Sequence, residues 1–568
     1  MDLSLDAIRD RVRDGGSGAV DLVRDLIPVW ATAPSGVWIS APDVDRLLSD
    51  ASQLDRLDVS ARADLPLFAV PIAVKDNIDV AGIPTTAGCP AFARTPTADA
   101  EVVARLRAAG ALIVGKTNLD QFATGLTGTR TPYGVAPNVF ASDLVSGGSS
   151  SGSAVAVALS LVSAALGTDT AGSGRVPAAC NGIVGWKPAP GVWSNDGVVP
   201  ACRSLDCVSV FATTVGDAAA LASVIGDRPV SARRGPVRVA VADDESIASF
   251  HAETATAYRR RCEQLVVDGH ELVAVDLAPW FEIGALLYEG PWLAERTVAL
   301  GEFISAHRGD VVPVVRDLVL RGGSFDAVDT FRGFAERDRI AKLIDQWWNI
   351  ADVLLLPTVD EIPTIAEALD DPLGTSRRLG RLTNAANLLG LAAVSMPCGF
   401  RTDGRPFGVT AFSPRARESL LAGFVGVELA GPWPSVPPYD VAVVGAHLSG
   451  LPLNDRLTTR GARLVSTTTT SDRYRLYRLH GGPLPRPALE RVEHGGRPIA
   501  VEVWRLDAAG FAAVVAEIPP PLAIGAVELL DGTWVRGFVC EPIGLADADD
   551  ITASGGWRAH LAEVATLT

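Results

Sequence analysis

The sequence predicts an α/β protein with a smaller β-rich unit at its C-terminal end. Between residues 67 and 118, apolar strand segments alternate with a helical segment at 101–109, the pattern of an α/β domain. After residue 439, segments of period-two alternation such as 473–479 are separated by turn residues, which is typical of a small, mainly antiparallel domain with a barrel-like sheet. A chain of 568 residues is too long for one compact core, so we expect at least two domains.

The N-terminal half contains a series of readable elements. Residues 1–65 alternate helical patterns with Pro and Gly breaks and predict a helical layer on the main domain. Residues 67–74 predict two short buried strands that end at Lys75, and residues 111–114 predict the next strand. The run of small apolar residues at 153–166 is too short to span a bilayer and predicts a buried helix.

Further elements follow in the C-terminal half. A strand is predicted at 237–241, and a helix containing Tyr258 follows it. A buried strand is predicted at 353–359, and a helix followed by a strand at 384–399. Residues 431–439 are rich in proline and predict a stiff linker, which divides the chain into domains at 1–430 and 440–568.

Composition and charge argue against several classes of protein. With 48% apolar and 20% charged residues, the chain is globular rather than disordered. The net charge of −16 argues against binding to nucleic acid or to an anionic membrane, because either would require a basic face. Seven cysteines without a CxxC pair suit reduced thiols, and the start of the chain has no signal-peptide core, so we expect a cytoplasmic protein.

The chemistry is concentrated at residues 142–188, which contain Gly/Ser clusters at 147–152 and 170–174. Gly-rich turns point backbone N–H groups inward, which suits either phosphate binding or stabilisation of an oxyanion. No Gly-Lys-Ser/Thr ending follows these clusters within residues 142–188, so acyl chemistry is favoured over nucleotide binding. No histidine precedes residue 188, so a Ser-His-Asp triad cannot be drawn from this region, whereas a Ser-Lys arrangement can.

Residues 167–188, GTDTAGSGRVPAACNGIVGWKP, resemble the signature of the amidase family, and residues 71–79, PIAVKDNID, match its lysine-bearing strand. The resemblance implies a mixed sheet sandwiched by helices, with Ser173 as the nucleophile, Ser149 on a cis peptide bond as the proton bridge, and Lys75 as the terminal base. It also implies that the oxyanion hole is formed by N–H groups of the turn at Thr170, Ala171 and Gly172.

Two positions depart from the usual form of the signature. Ala171 replaces a common glycine and slightly restricts the backbone. Gly174 replaces a common isoleucine, and we expect it to leave extra room beside the nucleophile.

The loop that begins at Gly125 also departs from the amidase form. It borders the active site in the family, so Gly125 and Arg130 are candidates for substrate binding. Arg130 on the protein surface is the alternative. Lys116 is either a second base or a solvated or packing lysine.

Residues 287–296 resemble the allophanate hydrolases, in which the matching tyrosine and arginine hold the substrate carboxylate. Tyr288 and Arg296 are eight residues apart, about two helical turns, so both could face one pocket. Arginine offers a planar fork to a carboxylate, and tyrosine adds one hydrogen bond. A salt bridge between helices through Glu289 or Glu295 is the alternative.

Residues 440–568 resemble the C-terminal domain of the allophanate hydrolases, which is similar in fold to the gamma-glutamylcyclotransferase barrels. In the family this domain is linked to decarboxylation of the first product. A general acid would assist that step, and His447, His480 or Glu502 could serve. A purely structural role, as a scaffold or in dimerisation, stays open.

The resemblance implies hydrolysis of allophanate, the N-carboxylated form of urea, to ammonia and carbon dioxide. No metal or organic cofactor is expected. We expect a homodimer, and a urea carboxylase as the upstream partner in the pathway. The alternatives are an amidase acting on malonamate or biuret, a glutaminase subunit of a tRNA amidotransferase, and a non-catalytic scaffold. Tyr288 and Arg296 discriminate against the other small-amide amidases, because a neutral amide would not require the arginine. The acidic charge and the domain after Tyr439 argue against the glutaminase subunit, and the presence of Lys75, Ser149 and Ser173 argues against the scaffold.

Overall fold

The computed structural model describes residues 1–13, 18–230, 235–428, 439–460, 462–481, 486–506 and 508–566. The chain divides into two compact units, Met1–Trp433 and Pro434–Thr568. The predicted linker at 431–439 lies outside the described residues, except for Tyr439. In the described part of the chain, no helix has the length and apolar character needed to cross a membrane.

In the first unit, one large mixed sheet provides the framework. Its strands are β1 (Trp38–Ser40), β2 (Pro71–Lys75), β3 (Leu112–Thr117), β4 (Ala164–Asp169), β5 (Val184–Lys187), β6 (Cys207–Ala212), β7 (Arg238–Ala242), β8 (Glu271–Val275), β9 (Val353–Pro357), β10 (Leu391–Phe400) and β11 (Pro406–Pro414). They lie in the order β1-β3-β2-β4-β6-β5-β10-β11-β9-β7-β8. Strand β2 is parallel to β3 and β4, whereas β4 is antiparallel to β6. The predicted mixed sheet is therefore confirmed.

Helices surround this sheet. They are α1 (Leu5–Arg13), α2 (Ala19–Ala31), α3 (Val44–Asp55), α4 (Val59–Ala63), α5 (Glu101–Ala108), α6 (Ser151–Ala158), α7 (Val176–Cys180), α8 (Val215–Ile225), α9 (Asp244–Ala248), α10 (Ala252–Val267), α11 (Ala278–Glu289), α12 (Trp292–Ala306), α13 (Pro313–Arg321), α14 (Ala327–Asp345), α15 (Trp347–Ile350), α16 (Ile365–Asp370), α17 (Pro372–Gly380), α18 (Ala385–Leu388) and α19 (Glu418–Glu428). Helix α6 packs on β2, β3, β4 and β6, and α7 packs on β5, β10 and β11. Both helices that flank the Gly/Ser clusters are thus anchored on the central strands.

Two segments differ from the sequence prediction. Residues 67–74 contain one strand rather than two: β2 begins only at Pro71, because residues 66–69 make a turn in which Ala69 has a positive φ of 60°. The run at 153–166 is not one helix: α6 ends at Ala158, and β4 begins at Ala164. Ser160 adopts a positive φ of 54° at the break, and the apolar residues that follow enter the middle of the sheet.

The second unit is β-rich, as predicted. Its strands are β12 (Tyr439–Val443), β13 (Arg463–Thr469), β14 (Tyr474–Leu479), β15 (Arg486–Arg491), β16 (Ala500–Leu506), β17 (Leu522–Glu528), β18 (Trp534–Cys540) and β19 (Asp549–Asp550), with helices α20 (Asp455–Thr458), α21 (Ala508–Ala516) and α22 (Trp557–Thr566). The strands divide between a five-stranded sheet, β13-β16-β12-β18-β17, and a three-stranded sheet, β15-β14-β19. Tyr474, Leu489 and Val503 belong to the apolar core of this unit.

Candidate active site

Strand β2 delivers Lys75 to a fully buried position in the first unit. Its Nζ donates a hydrogen bond to Ser149 Oγ at 2.8 Å and another to Thr168 Oγ1 at 2.7 Å. Burial lowers the pKa of Lys75 to about 7, although the carboxylates of Asp120, Asp169 and Asp206 oppose this shift. Near neutral pH, part of the population therefore carries a neutral amine that can accept a proton from Ser149.

Ser149 lies at the start of α6, on the first Gly/Ser cluster. The Gly148–Ser149 peptide bond is cis, as the resemblance implied. The Ser149 carbonyl accepts a hydrogen bond from the Asp120 N–H at 3.1 Å. The side chain of Ser149 is thus held by the end of β2, and its backbone is held by the loop that follows β3.

Two asparagine side chains tie the first cluster to α7, beside the second cluster. Asn181 Nδ2 donates to the Ser146 carbonyl at 2.7 Å, and Asn138 Nδ2 donates to the carbonyls of Val145 at 3.0 Å and Cys180 at 2.9 Å. Gly147 permits this approach, because a Cβ at that position would lie 2.8 Å from Pro177 Cα. The two clusters predicted from sequence are therefore neighbours in space.

Ser173 lies in the second cluster and is 3% exposed. Within the described residues, its hydroxyl forms no hydrogen bond, and neither do the backbone N–H groups of Thr170, Ala171, Gly172 and Ser173. Buried N–H groups without partners are rare, because they lose their bonds to water on burial. This turn can donate several N–H groups to an oxygen placed beside Ser173.

Three contacts fix the shape of this turn. Arg175 makes a two-bond pair with Asp169, with N–O distances of 2.9 Å, and both side chains are fully buried. Thr383 Oγ1 donates to the Ala171 carbonyl at 2.7 Å. Burial opposes ionisation of Asp169, but the Arg175 guanidinium outweighs it and keeps the pKa of that carboxyl below its usual value.

The expectation of extra room at Gly174 is wrong. A Cβ at that position would lie 2.6 Å from Ser209 Oγ, because the Ser209 side chain occupies the space. At Gly172, which has a φ of 141°, a Cβ would overlap the Thr383 hydroxyl. Both glycines therefore allow close packing behind the turn rather than a wider site.

Tyr288 and Arg296 come together, although not on one helix. Tyr288 lies on α11 and Arg296 on α12, and the helical conformation is interrupted between them at Gly290 and Pro291. Arg296 Cζ lies 5.4 Å from the centre of the Tyr288 ring. This contact is consistent with the prediction that both residues face one region. The assumption behind that prediction, that the two residues are two turns apart on one helix, is wrong.

Arg296 is fully buried and lacks a carboxylate partner among the described residues. Its Nη1 donates to Thr124 Oγ1 at 3.2 Å, whereas Nε and Nη2 have no hydrogen-bond partner. The alternative of a salt bridge through Glu295 is not formed, because that carboxylate accepts bonds from the N–H and hydroxyl of Ser204, both at 2.7 Å. A buried guanidinium with free donors is costly unless an anion pairs with it.

The other two candidates near this region are buried as well. Arg130 is 4% exposed, which contradicts the surface alternative; its guanidinium donates to the Thr124 carbonyl at 3.0 Å and to Ser376 Oγ at 2.7 Å. Gly125 lies against the same loop, since a Cβ there would be 2.6 Å from an Asp120 oxygen. Lys116 forms a buried ion pair with Asp76 at 3.1 Å, which agrees with a packing lysine rather than a second base.

The candidates in the second unit have different surroundings. His447 stacks on Phe538 with a centroid distance of 5.1 Å and lines a cavity of about 420 Å³ together with Arg456, Arg460 and Glu517. Burial and the two arginines lower the pKa of His447 to about 4, so this ring is neutral at pH 7. His480 is exposed, 3.3 Å from Asp549.

Glu502 is occupied by its neighbours. It accepts hydrogen bonds from the Ser449 N–H at 2.7 Å, from Trp504 Nε1 at 3.1 Å and from Arg558 at 3.0 Å. Burial alone would raise the pKa of this carboxyl, but the hydrogen bonds outweigh it and lower the pKa. Glu502 therefore carries no proton to donate at neutral pH.

Comparison with known proteins agrees with this geometry. Residues 22–422 match the sequence profile of the family described as Amidase. The chain belongs to the amidase family. This amidase also matches, over residues 439–562, the profile of the allophanate hydrolase C-terminal domain. Family membership identifies it as an amidohydrolase.

Several relatives of this amidase are known. The urea amidolyases of Lachancea kluyveri and Saccharomyces cerevisiae are 41% and 40% identical over 88% and 95% of this chain, which spans 30% and 32% of those longer proteins. The chain thus spans about a third of the length of these curated relatives. The solved structure of Kluyveromyces lactis allophanate hydrolase is 37% identical, with a TM-score of 0.70 and coverage of 99% of both chains.

Sequence reasoning did not single out Asp120, which lies between the lysine strand and the serine cluster of this amidase. One of its carboxylate oxygens accepts the Gly128 N–H at 3.0 Å and the other accepts the Arg130 N–H at 2.9 Å. The residue is fully buried, and its charge raises the pKa of Lys75. The sequence signal that could have indicated Asp120 is an acidic residue two positions after Asn118. It was missed because an aspartate in a loop usually serves as a turn residue.

Among the described residues of this amidase, no cluster of three or more His, Cys, Asp and Glu side chains is arranged to hold a metal ion. Proton transfer and stabilisation of charge in the site described above can be carried by Lys75, the serine hydroxyls and backbone N–H groups.

Proposed function

We propose that this chain hydrolyses allophanate, with Ser173 as the nucleophile and Lys75 as the terminal base. The observation that carries this proposal is Arg296, a fully buried guanidinium with two free donor atoms and no carboxylate partner among the described residues. An amide substrate that carries its own carboxylate would supply the missing anion. The urea amidolyase and allophanate hydrolase relatives support the same substrate.

The proposed proton path runs from Ser173 through Ser149 to Lys75. A serine hydroxyl is a weak nucleophile until a base removes its proton. Lys75 Nζ is 2.8 Å from Ser149 Oγ, and burial lowers its pKa to about 7, so neutral Lys75 can take the Ser149 proton while Ser149 takes that of Ser173. The second Lys75 bond, to Thr168, holds the amine in place for this transfer.

The attack of Ser173 Oγ on the terminal carbamoyl carbon forms a tetrahedral oxyanion. Free N–H groups of Thr170, Ala171 and Gly172 are the proposed donors to that oxygen. Collapse breaks the carbon–nitrogen bond, and the leaving nitrogen takes the proton held by Lys75 and departs as ammonia. Water then attacks the acyl-enzyme by the same proton path and releases N-carboxycarbamate.

N-carboxycarbamate must lose carbon dioxide to give the final products, two ammonia and two carbon dioxide per allophanate. We assign assistance of this step to the cavity of the second unit, where Arg456 and Arg460 share the carboxylate of Glu517 and leave a net positive charge beside His447. Because the pKa of His447 is lowered to about 4, the ring would act through its neutral N–H or as a base, not as a charged acid.

The remaining elements of the proposal concern context. A urea carboxylase would make the substrate by adding the carboxylate to urea. The cytoplasmic location and the homodimer stay predictions from the sequence.

The test is ammonia release from allophanate, malonamate, biuret and glutamine. We expect allophanate to be preferred, and we expect Ser173→Ala to lower kcat by about 10⁴-fold or more. Ser151→Ala is the matched control, because the buried Ser151 hydroxyl has no hydrogen-bond partner in the described part of the chain and its loss should leave the rate unchanged. Preference for biuret or glutamine would overturn the substrate assignment, and an active Ser173→Ala would overturn the nucleophile.

A further inference from the structure

Arginines gather at one side of Tyr288 in a protein of net charge −16. A cavity of about 280 Å³ is lined in part by Tyr288, Arg377, Arg378 and Arg381, and Glu289 is the one carboxylate among the described residues that line it. A smaller cavity of about 20 Å³ is lined in part by Arg130, Tyr288, Arg321 and Arg377. Both cavities therefore share Tyr288, whose ring contacts the buried Arg296.

Not all of these arginines carry free charge. Arg378 pairs with Asp371 at 3.4 Å, and Arg381 pairs with Asp360 at 3.6 Å. Each of these cations is neutralised locally, so neither contributes much potential at a distance.

Arg377 and Arg321 differ from them. Within the described residues, neither forms an ion pair with a carboxylate, and both are exposed. Arg321 donates to the Tyr288 carbonyl, with a nitrogen–oxygen distance of 2.6 Å. Its guanidinium is therefore held at the rim of the cavity, beside Tyr288, a candidate for binding the substrate carboxylate. Arg377 lines both cavities without any such bond.

We propose that Arg377 and Arg321 form a cationic entrance that draws small carboxylate-bearing amides toward Tyr288 and Arg296. This inference rests on the proposed function and adds the route by which an anionic substrate approaches. A cluster of one sign of charge at a cleft raises the local concentration of oppositely charged ligands. The negative charge of the rest of the protein would otherwise repel an anion at long range.

Exposed arginines at a rim act through water, so their effect depends on salt. The Debye length falls from about 30 Å at 0.01 M ionic strength to about 3 Å at 1 M. Reversing one unit charge at roughly 10 Å in water changes the local concentration of a monoanion about fourfold without screening and about threefold at 0.01 M ionic strength. The entrance therefore predicts a modest effect on kcat/KM at low salt that disappears at high salt, with kcat unchanged.

The experiment compares Arg377→Glu with wild type in low and high salt, using allophanate and neutral biuret. Arg260→Glu is the matched control: it makes the same charge change on an exposed residue of α10, which packs on β8 and β9. We expect Arg377→Glu to lower kcat/KM for allophanate about threefold at 0.01 M ionic strength, to match wild type near 1 M, and to leave biuret unaffected.

Three outcomes would overturn the entrance: an equal loss with biuret, a loss that persists at high salt, or a loss no larger than that of Arg260→Glu. The proposed function is judged separately, by the wild-type preference among substrates. A wild type that prefers allophanate, together with an Arg377→Glu variant without a salt-dependent defect, rejects the entrance alone. If another carboxylated amide such as malonamate is preferred, the same salt series on that substrate decides the entrance.

Discussion

Arg296 and Tyr288 meet across a break between two helices, with the guanidinium carbon 5.4 Å from the centre of the ring. The guanidinium is fully buried and, among the residues that the structure describes, forms one hydrogen bond, to Thr124 at 3.2 Å. A carboxylate is expected to bind strongly at such a site, because it pairs with a guanidinium that is already desolvated in the folded, ligand-free protein.

We expect Arg296→Gln to lose activity on allophanate while keeping activity on biuret. A hydrogen bond to a charged group contributes about 1.5–3 kcal/mol, so kcat/KM for allophanate should fall about 10- to 100-fold. Steady-state ammonia release from the two substrates measures this directly. An equal loss on both substrates would show that Arg296 supports the fold of the site and does not select the substrate.

The same residue predicts an effect on stability. Removing an unpaired buried charge relieves its desolvation, so Arg296→Met should raise the Tm of the ligand-free protein. Arg175→Met is the matched control, because Arg175 is also fully buried but pairs with Asp169 at 2.9 Å; its loss should destabilise the protein by about 3–5 kcal/mol. Thermal unfolding of the full chain tests both variants, and a lower Tm for Arg296→Met would contradict the unpaired state.

The sequence predicted the residues of this site better than their arrangement. Lys75, Ser149 and Ser173 could be named because they occupy fixed positions in a long ordered motif. The two-turn spacing of Tyr288 and Arg296 failed because Pro291 follows Gly290, and a residue before proline is disfavoured in helical conformation. Gly290 is extended, with φ −104° and ψ −175°, so the helix ends there.

Other features could not be predicted because they depend on contacts distant in sequence. Arg130 is buried through Ser376, which is 246 positions away. The space beside Gly174 is filled by Ser209, which no local pattern reveals. The apolar run at 153–166 reads as one helix, and only its pairing with β2 and β6 explains why its second half is a strand.

The pKa of Lys75 predicts how the reaction depends on pH. The neutral amine is the active form, and burial lowers the pKa to about 7, so kcat/KM should rise with pH through about 7 and level off above it. Lys75→Arg should be inactive throughout, because a guanidinium stays protonated. Activity that is flat between about pH 6 and 8, with the protein folded over that range, would exclude Lys75 as the base.

Glu502 predicts a structural rather than a chemical role in the second unit. Its lowered pKa contributes stability above the ordinary glutamate value, and this contribution is lost as pH falls through the lower folded-state pKa. Glu502→Gln should therefore destabilise the full chain at pH 7 by about 1.5–3 kcal/mol and weaken the loss of stability in acid. The rate of carbon dioxide release from N-carboxycarbamate, the step for which Glu502 was a candidate acid, should be unchanged; a large drop in that rate, with release of the first ammonia unaffected, would assign Glu502 to catalysis.

Asp120 predicts a positioning role that can be separated from a purely structural one. Burial raises the pKa of Asp120, whereas the backbone N–H groups of Gly128 and Arg130, which its two carboxylate oxygens accept at 3.0 and 2.9 Å, oppose that shift and stabilise the charged form. Because this charge raises the pKa of Lys75, Asp120→Asn should move the midpoint of the pH profile about one unit lower. The rate should also fall, since the new amide can accept only one of the two N–H groups. A rate that falls equally at every pH, with the midpoint unmoved, would contradict this role. Asp120 would then only hold the loop between Gly125 and Arg130 in place, and the lowered pKa of Lys75 would depend on burial without a contribution from Asp120.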